Sequence, residues 1–319
     1  MVEHIENTAL AESPQVSPWK ALLGLSRTLQ ATLSMAQPIL GAIIALLAVP
    51  SWPVVVLGFI AVWAGNHAAF ATNDLLDYKI DMQRFDRQRS LQGFDIDATI
   101  VRHPIAQGYL SPRLALAWVV GLCTITFICA AVLNLLAAFT FIVAMALEVW
   151  YCKLLTRTPW KFLITGVMVA TGGLAGWLAV SSDMNWTVMA AFFVWMGAWE
   201  IGGRNIVNDW SDVDEDRRLE IKTLPVVYGF KLSAVFIVIF LALTFLASFG
   251  LAILLGLNAI FTLAALIVGV YALIIPGVKL LRDPRPESAL ALFNRASFYP
   301  SVMLLALLAS IYAPRLFGA

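Results

Sequence analysis

The chain alternates between long apolar runs and short polar connections, and this pattern predicts a bundle of membrane-spanning helices. A helix needs about 20 apolar residues to cross a bilayer, and nine runs are long enough. They lie near residues 28–49, 53–74, 113–132, 134–152, 161–180, 187–208, 231–250, 257–276 and 296–313. We therefore predict an all-α, polytopic membrane protein with about nine transmembrane helices.

Two polar stretches of the same pattern follow the second and sixth predicted spans. The first acidic motif is NDLLDYKID, Asn73 to Asp81, and the second is NDWSDVDED, Asn208 to Asp216; both read N-D-x-x-D-x-x-x-D. Because four spans separate equivalent positions, both motifs have the same orientation to the membrane, as in a parallel repeat whose halves meet around a site. We predict a single transmembrane domain over residues 19–319, with halves at about 28–152 and 161–276 and an extra helix at 296–313. A disordered tail over residues 1–18 is expected to precede it.

Composition and charge support this topology and orient it. The chain is 61% hydrophobic and 13% charged, whereas soluble domains carry about 25% charged residues. With nine spans, 20 of the 21 Lys and Arg residues lie on one side of the membrane, which the positive-inside rule makes cytoplasmic. The N-terminus and both acidic motifs are therefore expected in the cytosol, with the C-terminus on the opposite side. The three cysteines form no metal-type pair, and nothing in the sequence indicates a nucleic-acid or protein partner.

The spacing of the acidic motifs favours binding of a divalent cation. Asn73, Asp77 and Asp81 are spaced i, i+4 and i+8, so their side chains share roughly one face of a helix. Like charges at this spacing repel, and Mg²⁺ prefers carboxylate oxygens and often bridges to substrate phosphates. A solvated, membrane-proximal charge cluster explains one such motif more readily than two at equivalent helix ends. The candidate metal ligands and catalytic residues are Asp74, Asp77, Asp81, Asp209, Asp212 and Asp216.

Ionisable residues near the motifs supply the complementary charge. Arg102 follows the first motif, Lys222 follows the second, and the connection between the fourth and fifth spans holds Lys153, Arg157 and Lys161. The simpler explanation for each of these residues is that it sets the membrane topology. The functional explanation is that it contacts a phosphate group. Within the spans lie Glu148 and the i, i+4 pair of Glu200 and Arg204. Ionisable residues inside a span usually face the bundle interior and have a function, although a buried ion pair that orients the sixth helix explains the Glu200–Arg204 pair equally well.

With these motifs placed, the chain resembles the UbiA-type intramembrane prenyltransferase superfamily over roughly residues 20–315. Both acidic motifs match, RHPIAQGYLS from Arg102 is similar to the family's R-P-x-x-x-G-x-(I/L)-S segment, and YCKLLTR from Tyr151 resembles its Tyr-then-basic stretch. The block GRNIVNDWSDVDEDRRLEIKTLPVVYG is similar to one found in branches that act on lipid and quinone precursors. Two departures stand out, namely a longer, charged insert over residues 82–101 and a histidine at position 103.

The resemblance implies Mg²⁺-dependent transfer of a prenyl group from an allylic prenyl diphosphate to a lipophilic acceptor in the membrane, of the aromatic or quinone-precursor type. It implies that the six aspartates hold the metal ions around the diphosphate. It also implies a set of substrate-binding residues, which are Asn73, Asn208, Lys153, Arg157, Tyr151, Lys222, Arg102 and Arg204. Among these, Tyr151 is the first candidate to stabilise an allylic cation through its ring.

Three other functions fit parts of the pattern. A terpene cyclase of the same superfamily would use the same metal site but let the cation react within its own chain. A polyprenyl-phosphate phosphoribosyl transferase would add a sugar-phosphate site. A cation-coupled transporter would also place acidic residues between repeats, but transporter sites usually lie near the bilayer midplane, whereas these carboxylates lie at helix ends.

Overall fold

The computed structural model describes residues 16–85, 96 and 100–317, and all regular structure in these residues is helical. The expected disordered tail therefore lies almost wholly outside the described residues, as does most of the 82–101 insert. The α-helices, numbered in chain order, are α1 Pro18–Leu25, α2 Thr28–Ser34, α3 Ala36–Leu46, α4 Trp52–Phe85, α5 Pro112–Leu133, α6 Leu135–Lys153, α7 Phe162–Val180, α8 Trp186–Trp199, α9 Ile206–Ser211, α10 Val213–Arg218, α11 Leu224–Leu254, α12 Ala259–Gly269, α13 Ile275–Arg282, α14 Pro286–Ser297 and α15 Tyr299–Phe317.

Eight helical segments of the described chain are long and apolar enough to cross a membrane. They are Thr28–Leu46, Trp52–Gln83, Pro112–Leu133, Leu135–Lys153, Pro159–Val180, Leu224–Leu254, Ala259–Arg282 and Pro286–Pro314. Each overlaps one of the nine predicted spans. The remaining prediction, 187–208, is not among them. There α8 ends at Trp199, a π-helical turn covers Glu200–Asn205, and α9 follows.

The π-helical turn lies directly before the second acidic motif and packs tightly. A side chain on Gly202 would bring its Cβ within 2.8 Å of the Phe240 Cβ on α11, so the glycine permits this close approach. Arg204, on the same turn, donates hydrogen bonds to Ser34 Oγ (3.0 Å) and to Gln30 Oε1 on α2. Single π turns inside α-helices are frequent at functional sites, and this one fixes the start of α9 against two neighbouring helices.

Helices α3 and α7 approach each other through glycine. A Cβ on Gly176 would overlap the Pro38 carbonyl, and one on Gly41 would overlap the Gly173 carbonyl. Small residues allow membrane helices to pack backbone to backbone, which adds dispersion contacts where no hydrophobic effect drives association. This contact joins the first predicted span to the fifth, one from each of the two predicted halves.

Buried aromatic residues fix α8 against the C-terminal helices. Trp195 Nε1 donates to the Tyr299 hydroxyl (3.0 Å), and Trp199 Nε1 donates to the Ala296 carbonyl (2.8 Å). Both tryptophans are fully buried, and pairing their N–H groups removes the cost of burying a polar atom. Because α8 leads into the second acidic motif, this packing determines where that motif sits.

Candidate active site

The two acidic motifs meet around one polar cavity of about 70 Å³. On α4 the lining positions recur every three or four residues, so they form one stripe of the helix. The motif residues that line the cavity are Asn73, Asp77 and Asp81 from the first motif and Asn208, Asp209, Asp212 and Asp216 from the second. Residues 135 positions apart in sequence thus face one shared space, as the duplication predicted.

His103 bridges two aspartates of the first motif. Its Nδ1 lies 2.7 Å from Asp74 Oδ1 and 2.9 Å from Asp81 Oδ2, and all three side chains are buried. The backbone of His103 has a φ of 51°, a left-handed conformation that is uncommon for a residue other than glycine. The surrounding contacts therefore hold the imidazole in place at some backbone cost.

The charge on His103 is set by opposing effects. Burial lowers its pKa, but hydrogen bonds to and attraction from Asp74 and Asp81 outweigh burial and raise the pKa above the ordinary value of 6.5. Arg102 Nε donates to Nε2 at 3.2 Å, a contact that suits the neutral ring. The carboxylates are closer than the guanidinium, so their effect prevails.

Three cations on other segments contact the acidic motifs. Arg27 lies 3.5 Å from Asp74, and Arg102 lies 3.9 Å from Asp212. Lys161, only 1% exposed, has its Nζ 3.6 Å from Asp209 Oδ1. Arg27, Arg102 and Lys161 all line the cavity.

Lys161 is held by Tyr151. Its Nζ donates to the Tyr151 hydroxyl at 2.9 Å and also lies 4.5 Å from the centroid of the Tyr151 ring. Asn205 Nδ2 donates to the same hydroxyl at 3.2 Å. The Tyr151 hydroxyl is therefore engaged with the residue before α7 and with the π-helical turn, and one face of its ring is covered by an ammonium group.

The carboxylates of the site outnumber its Lys and Arg residues and offer ligands that suit a metal ion. Five aspartates line the cavity against three Lys and Arg side chains, which leaves excess negative charge. One ligand atom each from Asp74, Asp81 and His103 lies within 4.8 Å of the others. Carboxylate oxygens are the donors that Mg²⁺ prefers, so the residues present fit a divalent cation.

Hydrogen bonds join the segments near this cavity that are distant in sequence. Arg218, at the end of α10, donates to the Gln83 carbonyl at 3.0 Å. The Lys222 backbone N–H donates to the Leu155 carbonyl at 2.9 Å. With the Arg102–Asp212 pair, these bonds hold the segments after both motifs close to the same site.

Asp74 and four cations expected in the site lie outside the cavity lining, although Asp74 contacts His103 beside it. The side chains of Lys153, Arg157 and Lys222 are exposed, because α6 ends at Lys153 and the next residues turn along the surface. Arg204 is buried but points away, since the π-helical turn directs it to α2 and to Glu200, 3.9 Å away. The structure therefore does not bring these four cations to the acidic motifs.

Three cavity residues were not predicted as site residues. His103 was visible only as a departure from the family pattern, and Lys161 only as one of several loop cations. Arg27 lies more than 40 residues before the first motif, so no local spacing connects them. Their roles depend on how the helices pack, which the sequence pattern does not specify.

A second, apolar cavity of about 390 Å³ lies between α3, α4, α5, α6 and α7. Its walls are mainly aliphatic and aromatic, with Gln37, Asn66 and Thr126 as the polar exceptions. On α4 its lining ends at Ala69, one turn before Asn73 in the polar cavity. The two cavities are therefore neighbours along the same helices.

Comparison with known proteins agrees with this arrangement. Residues 34–308 match the model of a family described as the UbiA prenyltransferase family. The protoheme IX farnesyltransferase of Stutzerimonas stutzeri (strain A1501) is 25% identical over 313 residues, covering 96% of this chain and 98% of that protein. The digeranylgeranylglyceryl phosphate synthase of Pyrococcus furiosus is 29% identical over 262 residues, covering 78% and 83% of the two chains.

A solved structure shares the fold. A UbiA homologue from Archaeoglobus fulgidus, bound to DMAPP and Mg²⁺, superposes with a TM-score of 0.67 at 16% identity. The match covers 91% of this chain and 99% of that one.

Proposed function

Because the chain belongs to the UbiA prenyltransferase family, we propose that it transfers a prenyl group from an allylic prenyl diphosphate to a lipophilic acceptor, using Mg²⁺ held between its acidic motifs. Prenyl transfer in a multi-pass membrane protein follows from the family and from the eight apolar helices of the described chain. We further propose which metal the site binds, what each site residue does and which class of acceptor is used.

One observation supports the proposal above the others: both acidic motifs line a single cavity that also contains three cations. Carboxylates alone would attract a metal, and cations alone would attract a phosphate. Their combination in one small space suits a metal–diphosphate complex, which carries both signs of charge. The Archaeoglobus fulgidus homologue was solved with this pair of ligand types, DMAPP and Mg²⁺.

The cavity residues then divide into two groups. Asn73 and Asn208 would orient the diphosphate through hydrogen bonds. The metal would be held by six of the motif aspartates, which are Asp74, Asp77, Asp81, Asp209, Asp212 and Asp216. Bound Mg²⁺ would neutralise charge that develops on the departing diphosphate. Arg27, Arg102 and Lys161 would contact diphosphate oxygens directly, because charge-assisted hydrogen bonds to phosphate are strong.

The prenyl tail would occupy the apolar cavity. A headgroup among the aspartates and a tail in the neighbouring apolar space would bury both parts of the substrate in matching surroundings, at about 25 cal/mol per Å² of apolar surface removed from water. The segments after both motifs, which hydrogen bonds hold close to the polar cavity, would keep water from the reacting carbon.

The acceptor we propose is lipophilic and of the aromatic or quinone-precursor type that the resemblance to the KTLPV-containing block implies. The names of the two relatives point to protohaem IX and to a glyceryl phosphate lipid, so both classes belong in the test. The site is proposed to face the cytoplasm, since 20 of 21 Lys and Arg residues fall on its side of the predicted topology.

The test is an assay of purified protein with labelled prenyl diphosphates of several lengths, with Mg²⁺ or with a chelator. Each acceptor class is added in turn. We expect Mg²⁺-dependent product formation that requires an acceptor; a hydrocarbon product formed without acceptor would indicate a cyclase instead. Lack of Mg²⁺-dependent diphosphate release with every donor would contradict the proposal.

Matched variants locate the site. Asp77→Asn and Asp212→Asn should each lower turnover by on the order of 10²-fold or more, because each removes charge facing the proposed metal. Asp214→Asn makes the same chemical change at an exposed position of α10 that does not line the cavity, and should leave turnover unchanged. Equal activity of all three variants would contradict the assignment of Asp77 and Asp212 to the active site.

A further inference from the structure

Glu148 is a buried carboxyl group that the roles proposed above do not use. It lies on α6, is 4% exposed, and accepts hydrogen bonds from Asn73 Nδ2 (3.1 Å) and Cys152 Sγ (3.7 Å). Within the described chain it has no ion-pair partner. A buried carboxylate without a counter-charge is costly, so its presence requires a reason.

Glu148 lines neither cavity, but on α6 it lies between the residues that line the apolar cavity and the one that lines the polar cavity. On α6, Ala144 and Met145 line the apolar cavity and Tyr151 lines the polar one, with Glu148 between them on the same face. On α4, Ala69 lines the apolar cavity, and Asn73, the partner of Glu148, lines the polar one. At 1.5 Å per residue, the two linings are about 6 Å apart along α4 and about 9 Å apart along α6.

The boundary between the two cavities is where the reacting carbon of the proposed substrate would sit, so the inference rests on the proposed function. With the diphosphate among the aspartates and the tail in the apolar cavity, the allylic C1 carbon lies between them. When the C1–O bond breaks, its electron pair leaves with the diphosphate oxygen. A positive charge then remains, shared between C1 and C3 of the prenyl group.

Tyr151 is poorly placed to stabilise this charge alone. The Lys161 ammonium already lies over one face of its ring, 4.5 Å from the centroid, and would repel a carbocation there. We propose that Glu148 assists the reaction from behind Asn73, through a negative charge that stabilises the allylic cation at the junction of the two cavities. An anion without an ion-pair partner in the described chain becomes an advantage when the reaction creates a cation near it.

The experiment measures bond cleavage without needing the acceptor. Geranyl or farnesyl diphosphate carrying ¹⁸O in the C1–O position is incubated with the full-length protein and Mg²⁺, and migration of the label to non-bridging positions is followed. Migration requires the C1–O bond to break and re-form. We expect Glu148→Gln to slow migration by on the order of 10²–10³-fold, the usual effect of removing one group that stabilises a developing charge.

The Glu148→Gln variant separates the effect of the Glu148 charge from that of its hydrogen bond to Asn73. Its side-chain oxygen can still accept from Asn73, so a role limited to that hydrogen bond predicts no change in rate. Glu148→Asp retains the charge one methylene further away and should give an intermediate rate. Glu287→Gln, the same change at an exposed position near the start of α14, should match the natural protein.

Binding of a non-ionising analogue, geranyl thiolodiphosphate, separates the possible failures. Equal Mg²⁺-dependent binding by the natural protein and Glu148→Gln, with slower label migration in the variant, supports the inference. Equal migration in both proteins, or no migration in the natural protein despite binding, overturns it. Absence of Mg²⁺-dependent binding by the natural protein would instead refute the proposed function on which the inference rests.

Discussion

Removal of the His103 side chain should destabilise the metal-free protein substantially. Its Nδ1 lies 2.7 and 2.9 Å from Asp74 and Asp81. The single Nδ1 proton can support one charge-assisted hydrogen bond of about 1.5–3 kcal/mol, and the ring adds electrostatic attraction to both carboxylates. These contributions overlap, so we expect His103→Ala to lower the free energy of unfolding by about 3–5 kcal/mol, the range for leaving one partner of a buried ion pair alone. His103→Gly should cost about 1 kcal/mol less than His103→Ala, because glycine adopts the observed φ of 51° without strain.

The assay is thermal unfolding in detergent, with a chelator and with saturating Mg²⁺. A bound cation would replace the positive end of the imidazole between the carboxylates, so Mg²⁺ should recover most of the stability that His103→Ala loses. His67→Ala is the matched control. His67 is also buried, but it stacks on Trp63 at 4.2 Å between ring centroids and contacts the Trp63 carbonyl. The stability that His67→Ala loses should be the same with chelator and with Mg²⁺.

Two results would refute this reasoning. If His103→Ala is as stable as the natural protein in chelator, the imidazole does not hold the aspartates together. If Mg²⁺ leaves the defect of His103→Ala unchanged, as it should for His67→Ala, then the cation does not bind where the imidazole acts.

Three other variants test the helix packing and the difference between cations that line the polar cavity and cations that are exposed. Gly176→Leu should abolish recovery of monodisperse protein in size-exclusion chromatography, since its Cβ overlaps the Pro38 carbonyl, whereas Gly121→Leu, which has open space around it, should be tolerated. Lys161→Met should weaken prenyl diphosphate binding by on the order of 10–100-fold in a filter-binding assay, the equivalent of one charge-assisted hydrogen bond. Arg157→Ala should change the same affinity by less than about threefold, because exposed charges contribute little; a tenfold loss would show that Arg157 enters the site when substrate binds.

The sequence was sufficient to predict the membrane class, most spans and the meeting of the two acidic motifs. Hydrophobic length determines whether a helix can cross a bilayer, and duplicated spacing determines that equivalent positions share an end of the bundle. The predicted span 187–208 stays a prediction, and the form of its helix shows the limit of this reasoning. Its composition suits a continuous helix, but the π-helical turn at Glu200–Asn205 depends on close packing against α11 and α2, which no local pattern reports.

The cationic half of the site was harder to predict for a related reason. Lys153 and Arg157 have the positions that the family resemblance favours, yet they are exposed where α6 ends. Arg27 and Lys161 reach the aspartates from segments distant in sequence. Charge near a motif in sequence is a weak guide to charge near it in space, because helix ends and loop paths decide which side chains point inward.

The resting ion pairs imply that metal and diphosphate bind cooperatively. Each cation proposed to contact the diphosphate is already near an aspartate in the protein, with Lys161 3.6 Å from Asp209 and Arg102 3.9 Å from Asp212. Mg²⁺ alone must compete with these cations for the carboxylates, and diphosphate alone must compete with the carboxylates for the cations. When both bind, Mg²⁺ takes the carboxylates and the diphosphate takes the cations that the carboxylates release. Each ligand should therefore raise the affinity of the other.

Linkage requires the two increases in affinity to be equal, and calorimetry of Mg²⁺ binding with and without geranyl thiolodiphosphate measures one of them. We expect at least a fivefold effect, the lower end of typical coupling energies of about 1–3 kcal/mol; independent binding would mean that the resting pairs persist in the loaded site.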